Sequence, residues 1–331
     1  ALVQAVPSLR RLGLARCATC PDTGVNSLLM AGGGLLIVCV LAAVIVTTIS
    51  AAGQQKISEG VTKITLTYLQ VAALFAGFPL RWPRELEALF EFQGSISTLG
   101  EHLLNPDCAV GDSTRPADLF YQKQVGFALL PPLLVLVLWG LWRLYAARGC
   151  GDSVGWRTRG QPDDVTPKDK FVVSVCSVLY LLYPTLCKQA FSGFNCRAIG
   201  NGLYLEIDLE EPCYAGTHLG FALTLGLGQI VGYVVGLPLV VLFFLRRNRD
   251  RLDSTAVMTR YGLFFGGYRK RRYYWETMIA GRKASVVMMS QSAKSAGKVY
   301  LKFSKMFLTK IKILISLMQV IRGLGASGRA R

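Results

Sequence analysis

Apolar residues in this chain gather into long runs separated by short polar stretches, and the runs have the lengths of membrane-crossing helices. The run from Thr217 to Leu245 holds no Asp, Glu, Lys or Arg. At 1.5 Å rise per residue it can cross a bilayer with slack for tilt. It stops against Arg246, Arg247, Arg249 and Arg251, a basic flank of the kind retained on the cytoplasmic side. Leu28–Ala52, Val125–Tyr145 and Phe171–Phe194 predict further spans, the second closing on an interfacial belt of Trp139, Trp142, Arg143 and Tyr145. Val61–Leu80 is just long enough but carries Lys63 and Gln70, so it reads either as a span or as an interfacial amphipathic helix. A weaker apolar run, Tyr273–Ser290, is a candidate for one more span.

Within the 217–245 run and just before it, Gly216, Gly220, Thr224, Gly228, Gly232 and Gly236 recur at four-residue intervals. That spacing predicts a ridge with almost no side chains, on which a neighbouring helix packs closely. Pro238 predicts a kink, with a bundle neighbour satisfying the carbonyl that proline leaves without a donor. Arg246 to Arg272 holds nine Lys/Arg and is placed on the cytoplasmic side. Counting back from it puts 195–216 outside, 146–170 inside and 81–124 outside. If 61–80 spans, the N-terminus is also outside, and Cys17, Cys20, Cys108, Cys196 and Cys213 all face the oxidising side. If it does not, Cys17 and Cys20 fall in the cytosol. The first arrangement accounts for more of the cysteines.

Composition supports the membrane reading: 331 residues, 52% hydrophobic, with positive mean hydropathy. The formal net charge of +17 sits mainly beside the apolar runs, where attraction to an anionic inner leaflet explains it better than nucleic acid does. The partners expected are therefore membrane lipids, with a second copy or a channel subunit as protein partner, and no nucleic acid. The chain opens on Ala1 with no signal-peptide pattern, so we expect a fragment or processed product of a longer protein, or a mis-joined gene model. The organisation read from the pattern is a polar, loop-like 1–27 ending a cysteine-rich module, a membrane region over 28–290, and a basic tail over 291–331. Lys63–Val71 is echoed by Lys312–Val320 in that tail, as a tandem copy or a joined related segment would produce.

Candidate chemistry is sparse. Cys17-Ala-Thr-Cys20 has no nearby second pair to complete a zinc site, so disulfides of a small extracellular module are the better reading. Cys196 and Cys213 close a short outer loop and invite a mutual disulfide, with Cys196 paired to Cys108 or to a missing module as the alternative. Cys39, Cys176 and Cys187 read as small apolar packers. The acids Glu206, Asp208, Glu210 and Glu211 read as a solvated loop more readily than as a cation-attracting pore mouth. Glu276, Arg282 and Lys283 are the candidates for a pore or buried charge, since a membrane-level charge is costly and calls for a partner. A cation on another helix would suit Glu276, and a water-accessible interface position is the alternative. His102 and His218 have no nucleophile or acid at motif spacing, and no nucleophile elbow, zinc-protease helix or Walker loop occurs. Neither an enzyme nor a cofactor is expected.

Leu181–Thr185, Phe191–Cys196, Arg260-Tyr261-Gly262, Gly267-Tyr268-Arg269 and Trp275-Glu276 with Arg282-Lys283 together resemble the TRP-like membrane region of large multi-span proteins in protists and algae. That region is distantly similar to polycystin and fungal TRP-like proteins. Lys63–Val71 with Trp82-Pro83 fits the same pattern, and Cys17–Gly24 is similar to the end of an ephrin-receptor-like cysteine-rich module. The resemblance covers about residues 15–290 and implies a channel-like or receptor-like integral membrane protein. The expected fold is all-α: a polytopic transmembrane bundle of about five to six spans with short disulfide-tied outer loops. The expected function is a TRP-like cation channel or sensor subunit, complete or incomplete, in the plasma membrane or an endomembrane. The alternatives are a multi-span adhesion or signalling receptor that only anchors, and a small-molecule transporter.

Overall fold

The computed structural model describes residues 9–12, 16–19, 23–51, 64–65, 67–72, 74, 83, 116–148, 166–206 and 208–294. The expectations for Cys20, Cys108, His102, Lys63, most of the 81–124 and 146–170 segments and the tail from 295 onward, including the repeated Lys312–Val320, lie outside them.

The described chain is mostly helical. A short hairpin, β1 (Leu9–Leu12) with β2 (Arg16–Thr19), sets Arg11 opposite Cys17. These four-residue arms fall where the pattern reads as loop, because they are too short for alternation to register. Next come α1 (Thr23–Ala51), α2 (Pro116–Ala147) and α3 (Pro167–Ser192). A second hairpin, β3 (Cys196–Ile199) and β4 (Gly202–Leu205), leads into the long helix α4 (Gly216–Arg247). Two further helices, α5 (Thr255–Phe265) and α6 (Trp275–Lys294), complete the order. Residues 64, 65, 67–72 and 74 are helical as well.

Among the described residues, three helices are long and apolar enough to cross a membrane: Ala117–Ala147, Pro167–Ser192 and Gly216–Arg247. Helix α1, 29 residues with no charged side chain, reaches about 44 Å at 1.5 Å per residue. Helix α6 begins on Trp275 and Glu276 and carries Arg282, Lys283 and Lys294, so the 273–290 run forms a helix that is not one of the three.

Although α4 has the highest mean hydropathy of these three helices, α3 is the hub of the bundle. Its apolar window is 67% buried, against 6% for α2 and 11% for α4. Val178, Leu182 and Leu186 pack toward α1 and α2, against Leu41, Ile45, Leu130, Leu134 and Leu138. Tyr183, Cys187, Ala190 and Phe191 meet Ile230 and Val234 of α4 and Ala284, Val287 and Met288 of α6. Tyr180 and Leu181 meet Leu245, Leu252, Val257, Phe264 and Phe265. A helix buried on most sides must be largely apolar, and several polar groups on α3, among them Asp169, Ser174, Tyr180 and Tyr183, have partners on other parts of the chain.

The start of α3 is fixed by a capping box: Thr166 Oγ1 accepts from Asp169 N while Asp169 Oδ2 accepts from Thr166 N at 2.9 Å. Asp169 is buried and also takes the Arg260 guanidinium, which ties the first turn of α3 to α5. Trp142 Nε1–H donates to Ser174 Oγ at 3.2 Å, joining α2 to the same end of α3. Thus the interfacial tryptophan expected from the sequence also serves as a cross-helix donor.

Two prolines inside the helices carry a shared device. A proline at position i has no N–H for the carbonyl four residues earlier. Pro238 leaves Val234 O, and the buried Tyr183 hydroxyl donates to it at 3.0 Å. Pro132 leaves Ala128 O, and the Tyr233 hydroxyl donates there. Each freed carbonyl is met from a different helix, as expected for Pro238, because no water is at hand in an apolar bundle.

Helix α4 is not uniformly α-helical. Ala222–Gly226 and Ile230–Gly236 are π-helical, and each wide turn shifts the register of the turns beyond it. The glycines at 216, 220, 228, 232 and 236 therefore do not act as one packing ridge within the described chain. Among the described residues, a Cβ at Gly216, Gly220, Gly228 or Gly232 would meet nothing within 4 Å. At Gly236 it would lie 2.9 Å from Val231 O of the same wide turn, and at Gly226 it would lie 3.0 Å from the Phe194 ring. Gly236 permits the π-turn, and Gly226, which the four-residue spacing does not select, seats an aromatic side chain.

Candidate functional site

The charged residues singled out by sequence lead to a buried polar cluster between α3, α6 and the 64–74 helical stretch. Lys283 is 2% exposed, and its Nζ donates to Gln70 Oε1 at 2.7 Å. Gln70 is itself fully buried. The same ammonium stands 4.7 Å from the centroid of the Tyr180 ring, within cation–π range. Tyr180 in turn shares a 3.0 Å hydrogen bond with Thr67. Gln70, one of the two polar residues that made 61–80 ambiguous, thus faces inward with Thr67, while Ile64 and Tyr68 are exposed. Burying an ammonium costs desolvation, which hydrogen-bond acceptors and a π-face help to offset.

Glu276 is buried at the first turn of α6 and accepts from the Tyr268 hydroxyl at 3.0 Å. Its placement near a helix N-terminus is favourable for a carboxylate. Burial, and then the neighbouring Glu276 carboxylate, push the Tyr268 phenol well above its ordinary range and keep it a donor. Tyr268 is thus one partner of this carboxylate. Arg282 is exposed, so among the three candidates Glu276 and Lys283 are buried and Arg282 is not. They share one helix, and Tyr180 stands beside both of them.

The other end of the bundle is organised by the hairpin loop. Cys196 and Cys213 are joined in a disulfide, the mutual pairing expected of this pair. Asp208 Oδ2 accepts from Ala117 N at 3.3 Å, and Glu211 Oε1 accepts from the Tyr121 hydroxyl at 3.2 Å. These acids dock the loop onto the N-terminal turns of α2, where a carboxylate is stabilised by free N–H groups. Their engagement favours a structural role over a solvated loop or a pore mouth.

His218 is 1% exposed; Nδ1 accepts from Tyr214 N at 3.0 Å and Nε2 lies 3.1 Å from Gly193 O. The first bond requires an unprotonated Nδ1, so Nε2–H donates to the carbonyl and the ring is a neutral clasp between the end of α3 and the start of α4. Cys196, Cys213 and His218 lie close together, but the two sulfurs are bonded to each other and both ring nitrogens are engaged, so these residues do not form a metal site. Of the other cysteine expectations, Cys17 is placed on β2 by its backbone alone, while Cys39, Cys176 and Cys187 are free thiols.

A third polar group links α2, α3 and α4. Gln124 Nε2 donates to Gln189 O and to Ser192 Oγ, and Gln229 Nε2 donates to Gln124 O, all at 2.7–3.0 Å. No pattern in the sequence points to this group or to the roles of Tyr180 and Tyr233. Lone Gln and Tyr residues in apolar runs do not announce which helix they will face.

No family profile matches the chain, and no solved structure matches it. Among characterised proteins it is similar to Cysteine repeat modular protein A of Toxoplasma gondii, 25% identical over 152 residues. That alignment takes in 43% of this chain and 5% of the relative, so the chain spans a small part of that protein's length. A helical membrane chain with a disulfide, partly similar to a protein named for its cysteine repeats, is what these observations establish.

Proposed function

We propose that this chain is the multi-pass membrane region of a larger protein and works as a TRP-like channel or sensor subunit. In this reading α1, α2, α3 and α4 cross the bilayer, the Cys196–Cys213 hairpin faces outside, and the segments around Arg246–Arg251 and Arg269–Arg272 lie against the inner leaflet. The observation that carries the reading is Lys283, held by Gln70 and the Tyr180 ring inside the helix cluster. A buried membrane-level cation is expensive, and such charges mark functional pathways or sensing elements more often than packing. Its partners sit on different stretches of the chain, so a shift of α6 against α3 would change its surroundings.

The second reading is a modular receptor or anchor. It is favoured by the relative's name and by the Cys17–Cys20 pattern ahead of α1. A planar-bilayer recording of the purified chain separates the two. Unitary cation currents whose amplitude or open probability changes in Lys283→Met support the channel reading. A folded, membrane-inserted chain without current removes it and leaves the receptor.

A further inference from the structure

We propose that the cavity between α3, α4, α5 and α6 holds one acyl chain of an anionic phospholipid, with its phosphate on the basic residues at the cavity's α5 end. This rests on the membrane reading above, but not on conduction. The cavity measures about 290 Å³ and its walls are mostly apolar, Phe171, Val175, Val241 and Phe264 among them, with Glu276 and Lys283 at the α6 side, a size near the lower limit of ligand pockets. Most of the wall is apolar and gives water little to bond along its α3 and α4 sides, and an empty space of this size would forfeit the dispersion contacts of its lining. Val240 and Phe244, at the lining, are exposed, so the space communicates sideways with the surroundings, which in a membrane are hydrocarbon.

Charge fixes the headgroup. Arg260 is bound to Asp169 on the first turn of α3, and Phe244 stacks on Tyr261 at 5.9 Å. These contacts bring the start of α3, the end of α4 and α5 to one place. Lys168, Arg246 and Arg247 are exposed there and Arg260 is half-exposed, an excess of cations beside the acids Asp169 and Asp250. A phosphate oxygen complements such a cluster, through the arginines above all. A second polar observation falls inside the cavity: Thr277 Oγ1 lines it, is buried, and has no hydrogen-bond partner among the described residues. A hydroxyl in that position suits the ester carbonyl that joins an acyl chain to its headgroup.

The test is native mass spectrometry of the full chain in detergent with equimolar phosphatidylserine and phosphatidylcholine. Wild type should retain one phosphatidylserine preferentially. Val175→Trp and, separately, Val241→Phe fill the cavity and should abolish that retained adduct. Arg246→Gln with Arg247→Gln should keep an adduct while the preference falls by about fivefold per arginine removed. An adduct count and preference unchanged in both cavity-filling variants overturns the proposal, as does an unchanged preference in the arginine variant. Glycerophosphoserine, which has the headgroup but no acyl chain, should not compete; full competition shows a headgroup site alone and also overturns it. Far-UV circular dichroism confirms that each variant is folded. Resistance to alkaline carbonate extraction tests membrane integration separately, so loss of the lipid site and loss of the membrane reading give different results.

Discussion

Removing the Tyr183 hydroxyl should cost stability only while Pro238 is present. Tyr183→Phe deletes the donor to Val234 O, which is buried and has lost its normal intrahelical donor to proline. The second, longer contact of the hydroxyl, 3.4 Å to Ala280 O, adds little. A buried carbonyl left unsatisfied costs about 1–3 kcal/mol, and interhelical bonds within membranes run lower, at about 0.6–2 kcal/mol. The expected loss is therefore about 1–2 kcal/mol. Pro238→Ala restores an N–H at the position that can serve Val234 O, so in that background the same substitution should cost about 0.5 kcal/mol or less, the remainder appearing as coupling between the two sites. Unfolding in mixed micelles, followed by far-UV circular dichroism as sodium dodecyl sulfate is added, measures all four proteins of the cycle. An equal cost in both backgrounds, or none in either, would refute the assignment of this hydroxyl to the proline-freed carbonyl.

The remaining expectations use the same assay. Gln70→Leu should destabilise more than Lys283→Met, by roughly 1.5–3 kcal/mol against less, because the first takes an acceptor from a buried charge and the second removes the charge. The double substitution should recover part of the Gln70→Leu loss, and additive costs would contradict the pairing. Gly236→Ala should cost about 1–3 kcal/mol by forcing a Cβ against Val231 O 2.9 Å away, whereas Gly232→Ala, with nothing within 4 Å, should be neutral or stabilising. Cys196→Ser, or reduction of the Cys196–Cys213 bond, should cost about 3 kcal/mol on the chain-entropy estimate for its separation of 17 residues. An unchanged unfolding curve under reductant would remove the disulfide from the stability of the outer loop.

The helices were legible because a charge-free run of this length has few alternatives, and the disulfide because two cysteines flank one short loop. What sequence could not supply was rotational placement. Four-residue glycine spacing predicts one ridge only if α4 keeps 3.6 residues per turn throughout, and two π-turns break that condition. The donor for the Pro238-freed carbonyl was foreseeable as a need, but Tyr183 could not be chosen over Tyr180 without knowing which way α3 faces. Likewise Glu276 and Lys283 were legible as costly charges, while their partners Tyr268 and Gln70 depended on tertiary placement. The central position of α3 was hidden because its polar residues lower its hydropathy below that of α2 and α4, although Ser174, Tyr180 and Tyr183 among them bond neighbouring parts of the chain.

The most direct test of the multi-pass account is maleimide labelling of Lys168→Cys, Asn201→Cys and Asp250→Cys in sealed vesicles with the cytoplasmic face outward, against the parent chain. These positions are exposed and bracket α3 and α4. The account predicts that a membrane-impermeant reagent labels positions 168 and 250 directly and position 201 only after detergent opens the vesicles. Equal labelling at all three before detergent would mean that neither α3 nor α4 crosses the membrane, and would contradict it.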